Sequence, residues 1–176
     1  MLFRSVNHYG GGTLSGRPIR AIQVGGPLGA YFGVDKFGTS ADYESMLAAG
    51  GMLGHGGIVL FDETVNLAKQ ARFAMEFCAL ESCGKCTPCR EGTWWLVQIL
   101  RDLENGKGSE ADLAKLLDIC DNLLGRSFCA LGDGAASPIM SSIKYFRDEY
   151  IAHLTNGSCP FDPVASTLFA SSKAGA

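Results

Sequence analysis

Cys83, Cys86 and Cys89 stand two residues apart each, within Glu81-Ser82-Cys83-Gly84-Lys85-Cys86-Thr87-Pro88-Cys89-Arg90-Glu91-Gly92. A fourth cysteine, Cys129, follows in Gly125-Arg126-Ser127-Phe128-Cys129-Ala130-Leu131-Gly132. A C-x2-C-x2-C run gathers three thiolates around one point, and a distant fourth completes an all-cysteine iron–sulfur ligand set. Zinc sites more often use separated CxxC pairs, with two ligands from each of two knuckles. Three ligands delivered in so short a stretch suit three corners of a cubane better than three vertices of one small tetrahedron. The expected chemistry is electron transfer through a 4Fe-4S cluster. The alternative is a structural zinc-binding interaction module without redox activity.

The remaining side chains of these types carry blander readings. Cys159 competes as fourth ligand, because Cys159-Pro160 resembles the Cys-Pro that ends bacterial ferredoxin runs. In such a run the fourth cysteine falls four residues after the third, and here that position is Thr93. Cys78 and Cys120 occupy inward helical positions and read as small buried hydrophobes. His8, His55 and His153 have no partner pattern, and His55, between Gly54 and Gly56, reads as a turn residue. Trp94 and Trp95 read as packing anchors. Lys85 and Arg90 are solvated charges or, beside a thiolate-bound cluster, offset its negative charge and raise its potential.

Four helices are expected to position the cysteines. Asp62 reads as the N-cap of the first, with Val65, Ala68, Ala71, Met75 and Cys78 along one face. A second begins after Arg90, carries Trp94, Val97, Leu100 and Leu103, and ends at Asn105-Gly106. Ser109 caps a third, with Leu113, Leu116, Leu117 and Cys120 inward. Ser137-Pro138 reads as N-cap and first residue of a fourth, lined by Ile139, Ile143, Phe146 and Tyr150 and closed by Asn156-Gly157. If alternate helices run antiparallel, the cysteine run and Cys129 meet at one end of a helical bundle. The 39 residues between Cys89 and Cys129 are then two helices, there and back.

Ahead of the helices the chain is glycine-rich, with most of its 23 glycines in the first sixty residues. Two strands are expected there, at 18–24 and 57–61, in a small β-rich module. Neither Gly10-Gly11-Gly12-Thr13-Leu14-Ser15-Gly16 nor Gly54-His55-Gly56-Gly57 has the spacing and strand-to-helix setting of a dinucleotide fingerprint. Small residues over Leu131–Pro138, ahead of the fourth helix, leave free amides for something flat or anionic, or simply a tight turn and cap. The predicted domains are 1–61, 62–156 and an extended tail over 157–176.

The chain has 176 residues, 47% of them hydrophobic, and a formal net charge of −3. No basic stripe appears, so no nucleic-acid partner is expected. No apolar run approaches the ~18 residues of a spanning helix, so no direct membrane insertion is expected. The first residues lack a signal-peptide pattern. Seven cysteines, an odd number, in that setting point to metal or redox use in a reducing, cytoplasmic compartment.

The cysteine run, with Arg126-Ser127-Phe128-Cys129 at its distance, closely resembles the FMN- and NADH-binding flavoprotein subunit family of respiratory complex I, NAD-reducing hydrogenases and NAD-dependent formate dehydrogenases. Ile22-Gln23-Val24-Gly25-Gly26-Pro27 and Met52-Leu53-Gly54-His55-Gly56-Gly57-Ile58-Val59 resemble the same family, and the likeness covers about residues 5–165. It implies an α+β fold: a partial β-grasp (SLBB-like) module followed by a four-helix bundle carrying a 4Fe-4S cluster. It also implies ligation by Cys83, Cys86, Cys89 and Cys129, and a flavin-facing segment at Ala130, Leu131 and Gly132. No catalytic residue is expected.

By the same resemblance, electrons reach the cluster from FMN reduced by NADH. They leave to a 2Fe-2S thioredoxin-like subunit and a larger iron–sulfur subunit of the parent complex, peripheral to the inner membrane. The family's FMN- and NAD-holding domain has no counterpart here. The chain therefore reads as the C-terminal portion of a longer protein, unable alone to oxidise NADH. Gly92-Thr93-Trp94-Trp95-Leu96-Val97 leans toward complex I, whereas the glycine-rich lead-in leans toward the dehydrogenase and hydrogenase branch.

Overall fold

A computed structural model describes residues 4–162. They form two compact units: one made of residues up to Gly26 together with Tyr31–Val65, the other of Pro27–Ala30 and Asn66–Pro160.

The first unit is built on a three-stranded sheet of β1 (Ile19–Val24), β2 (Ala30–Gly33) and β3 (Ile58–Asp62), in the order β2-β1-β3. β1 and β3 run antiparallel, pairing Ile22 with Leu60 and Val24 with Ile58. Ala21, Ile22, Val24, Phe32 and Met46 are buried, and the Tyr31 and Phe61 rings stand 5.7 Å apart. Both expected strands are present. β2 escapes a periodicity reading because four residues are too few to show alternation. The short helix α1 (Tyr43–Ala48) escapes it too, although Asp42 caps it by accepting the Ser45 N–H at 2.7 Å. A side chain on Gly54 (φ +55°) would stand 2.9 Å from Gly25 Cα, so these glycines let two loops touch.

The second unit holds α2 (Leu67–Glu81), α3 (Thr87–Glu104), α4 (Glu110–Leu123) and α5 (Ala130–Asn156). α3 packs against each of the other three. Their buried faces carry Leu67, Ala71, Met75 and Cys78 on α2, then Leu96, Val97, Leu100 and Leu103 on α3. Leu113, Leu116, Cys120 and Leu123 on α4 and Ile139, Ile143 and Tyr150 on α5 complete the core. Arg72 joins Glu76 and Glu104, and Arg101 also reaches Glu76, which ties α2 to α3.

Three helix starts differ from expectation. Asn66 caps α2, accepting the Lys69 N–H at 3.0 Å, because Asp62 ends β3 and spends its carboxylate on Thr64 and Ser15. α3 begins at Thr87 with Pro88 in its first turn, so Cys89 is helical; proline suits that position because its missing N–H has no intrahelical partner there. α5 begins at Ala130, and Pro138 lies within it rather than opening it. The stretch Leu131–Pro138 is therefore helical rather than a loop, and only the Leu131 and Gly132 amides, in the first turn, are without an intrahelical acceptor. Trp94 and Trp95 are 51% and 58% exposed, since neighbouring Leu96 and Val97 take the inward positions. Ser109 is the N-cap of α4, as expected, and Asp112 adds a capping box, its Oδ2 accepting the Ser109 N–H at 2.7 Å.

α5 leaves helical geometry at Phe146 (φ −134°, ψ 31°) and closes on Gly157 in the left-handed conformation. Among the described residues no helix is long and apolar enough to cross a membrane. The expected tail lies, beyond Asp162, outside the described residues.

Candidate metal centre

Cys83 lies in the loop between α2 and α3, Cys86 is the N-cap of α3, and Cys89 sits in the first turn of α3. Cys129 is the N-cap of α5. Cys89 is buried, Cys86 partly buried, and Cys83 and Cys129 exposed. Cys86 and Cys129 thus stand at the positive ends of two helix dipoles, where negative charge is favoured.

The two connections meet. The backbone N–H of Phe128 donates to Cys86 Sγ at 3.2 Å. A Cβ built on Gly132 would fall on Ser127 Oγ and lie 3.7 Å from Cys89 Cβ. Gly132, buried one turn into α5, is thus the position where that helix, the Ser127 loop and the start of α3 come together.

Each loop is strapped by one side chain. Gly84 takes a left-handed φ of +76° between Cys83 and Cys86. Arg90 reaches back to it, donating from Nη1 to the Gly84 carbonyl at 2.8 Å. Asp133 Oδ1 accepts the Gly125 N–H at 2.6 Å, closing the loop that carries Cys129. Ser82 Oγ stands 3.3 Å from Cys89 Sγ. A groove of about 390 Å³ between α3 and α4 opens beside the loops, lined by Thr87, Glu91, Trp95, Asp118 and Arg126 among others.

The other three cysteines sit in different surroundings. Burial and the nearby Cys89 push the Cys78 thiol up to about 12, and burial with Asp121 does the same for Cys120. Both remain protonated and behave as core hydrophobes. Cys159 accepts a hydrogen bond from Asn66 Nδ2 at 3.2 Å. It follows the C-terminal end of α5, while Cys129 precedes its start, so all 27 residues of that helix lie between them.

Of the histidines, His55 bonds within its own turn, accepting the Gly57 N–H at 3.1 Å. His153 is fully buried: its Nδ1 lies 2.7 Å from the Glu149 carbonyl and its Nε2 2.9 Å from Asn66 Nδ2. Glu149 in turn accepts the Leu67 N–H at 2.9 Å. Nothing in the sequence pattern joins these residues, although Glu149 and His153 are one helical turn apart.

Among the described residues no three histidine, cysteine, aspartate or glutamate side chains meet at the separation that a single ion requires. A cubane makes a different demand, spreading its thiolates around a cube. The donor chemistry suits one: four sulfurs on two adjoining loops, an amide already on one of them, and the buried Ser127 hydroxyl without a partner. Sequence reading gave Ser82, Ser127 and Asp133 no role, because nothing in their spacing separates them from ordinary loop residues.

Residues 69–153 match the family described as the NADH-ubiquinone oxidoreductase-F iron-sulfur binding region. The helical half of the chain belongs to that family. The chain is 52% identical over 167 residues to the NADH-quinone oxidoreductase F subunit of Mycobacterium bovis, covering 95% of this chain and 38% of that protein. It is 54% identical over 160 residues to the corresponding protein of Streptomyces coelicolor, covering 91% and 36%. A crystal structure of NAD+-reducing [NiFe]-hydrogenase in the air-oxidized state superposes with a TM-score of 0.71 at 27% identity, over 90% of this chain and 27% of that one. The chain therefore spans under two fifths of the length of the curated relatives it matches. The oxidoreductase-F region covers α2 to α5 nearly end to end, including all four cysteines of the motif.

Proposed function

We propose that this chain is the electron-transfer segment of an NADH-oxidising flavoprotein subunit, holding one 4Fe-4S cluster on Cys83, Cys86, Cys89 and Cys129. When bound, the cluster supplies one-electron transfer between FMN reduced by NADH and the iron–sulfur centres of partner subunits. The observation that carries this reading is the meeting of the two cysteine loops, marked by the Phe128 N–H on Cys86 Sγ.

The chain's own part is ligation, placement and tuning. Arg90 and Asp133 hold the loops in shape, the starts of α3 and α5 favour negative charge, and Cys89 itself is buried away from water. In this reading the sheet is part of an SLBB-type β-grasp module over 1–61, the four helices form the family's bundle over 62–156, and Ala130, Leu131 and Gly132 face the flavin. FMN and NAD belong to the parent subunit. The partners are its 2Fe-2S and larger iron–sulfur subunits, in a cytoplasmic complex peripheral to the inner membrane.

Anaerobic reconstitution with iron and sulfide tests it. About four iron and four sulfide per chain, with a reducible EPR signal, are expected. A single tightly bound zinc and no visible absorption would replace this reading with a structural zinc module.

A further inference from the structure

Ser127 has a side-chain oxygen that is buried and has no hydrogen-bond partner. A hydroxyl in that state costs free energy, and native structures rarely tolerate one without a reason. Its location supplies the reason. Ser127 stands two residues before Cys129 and packs against Gly132, with Cys89 Cβ 3.7 Å from the point where a Gly132 side chain would begin. Gly132 has no side chain there, and only that leaves room for the hydroxyl.

Two hydrogen bonds at this end of the unit already involve cysteine sulfur: the Phe128 N–H donates to Cys86, and Ser82 Oγ lies 3.3 Å from Cys89 Sγ. We propose that Ser127 is a tuning residue of the centre, donating its hydroxyl hydrogen to a sulfur of the bound cluster or of Cys89 and raising the cluster's reduction potential. The inference rests on the 4Fe-4S reading above. Its sign follows from charge. Reduction adds an electron to a thiolate-bound cluster, so a donor to sulfur stabilises the reduced form more than the oxidised form.

The test is the midpoint potential of the reconstituted full chain, followed by EPR, for wild type, Ser127→Ala and Gly132→Ala. Ser127→Ala removes the donor. Gly132→Ala keeps it but places a methyl group where the hydroxyl sits, and alanine is a better helix residue than glycine. With iron and sulfide content unchanged, each variant is expected to be roughly tenfold harder to reduce, a midpoint about 59 mV more negative for one electron. Because both act on one hydroxyl, the double variant should shift no further than either single.

A fully loaded Ser127→Ala protein with the wild-type potential overturns the inference. If Ser127→Ala does not load, Gly132→Ala decides by the same two outcomes. Failure of both to load also overturns it, since Ser127 would then be a structural residue and not a tuning one. Failure of wild type to take up a cluster instead removes the functional reading beneath it.

Discussion

Phe128 and Cys86, 42 residues apart in sequence, are joined by a hydrogen bond from the Phe128 amide to the Cys86 sulfur at 3.2 Å. The amide precedes Cys129 by one residue, so the bond fixes the register between the loop that carries three cysteines and the loop that carries one. A thiolate is a better acceptor for that amide than a protonated thiol, so the contact strengthens when the site is ligated.

The first prediction separates the two claimants for fourth ligand. Cys129→Ala should abolish assembly of a four-iron cluster, whereas Cys159→Ala should leave iron and sulfide content at the wild-type level. Iron and sulfide analysis after anaerobic reconstitution reads both, and the reverse pattern would exchange their roles.

Glu149 offers a second. Its carboxylate accepts the Leu67 N–H in a buried setting at the start of α2. Glu149→Ala leaves that amide without a partner and should cost about 1–3 kcal/mol in urea denaturation. Glu149→Gln keeps an acceptor oxygen and should cost less. Equal losses in the two variants would mean that packing, not the hydrogen bond, is at stake.

Adjacent residues on α3 give a third. Leu96 is fully buried and Trp95 is 58% exposed. Leu96→Ala should destabilise the fold by roughly 2–5 kcal/mol through lost burial and a residual cavity. Trp95→Ala should stay within about 1 kcal/mol. Thermal melts of the two variants decide it, and a larger loss for the tryptophan would contradict the packing described here.

The fourth concerns acid. The Lys115 ammonium and the Ser109 hydroxyl and amide hold the Asp112 carboxyl down at about 2. A carboxyl depressed in the folded state adds stability above its ordinary value, about 3.9, and that stability fades as pH falls toward 2. The stability difference between wild type and Asp112→Ala should therefore be largest above pH ~4, at roughly 1 kcal/mol, and shrink on acidification. Denaturant midpoints across that range measure it; a constant difference would remove the charge from the explanation.

Sequence legibility followed the strength of local signals. The third helix was readable because Ser109 announces its start and leucines recur three or four apart inside it. The cysteine run was readable because its spacing has few other uses. The start of α5 was not, because Ser137-Pro138 imitates a helix opening so well that the true start at Ala130 is hidden behind it. Asp62 misled in the same way, a good capping residue placed at the end of a strand. Trp94 and Trp95 break the general habit of large aromatics, because two smaller neighbours, Leu96 and Val97, fill the interior. Ser127 was silent for a deeper reason: its significance depends on the missing side chain of Gly132 and on a burial that no one-dimensional pattern records.

The buried trio of Asn66, His153 and Glu149 has a consequence beyond the stability of any one helix. It binds the residue that opens α2, and the amide just after it, to the last two turns of α5. Entrance and exit of the helical stretch are thereby fastened side by side, as in a loop with a clasp. A polypeptide so arranged can be cut out and spliced into another host sequence with its two junctions close together, which is the condition under which domain transplantation succeeds.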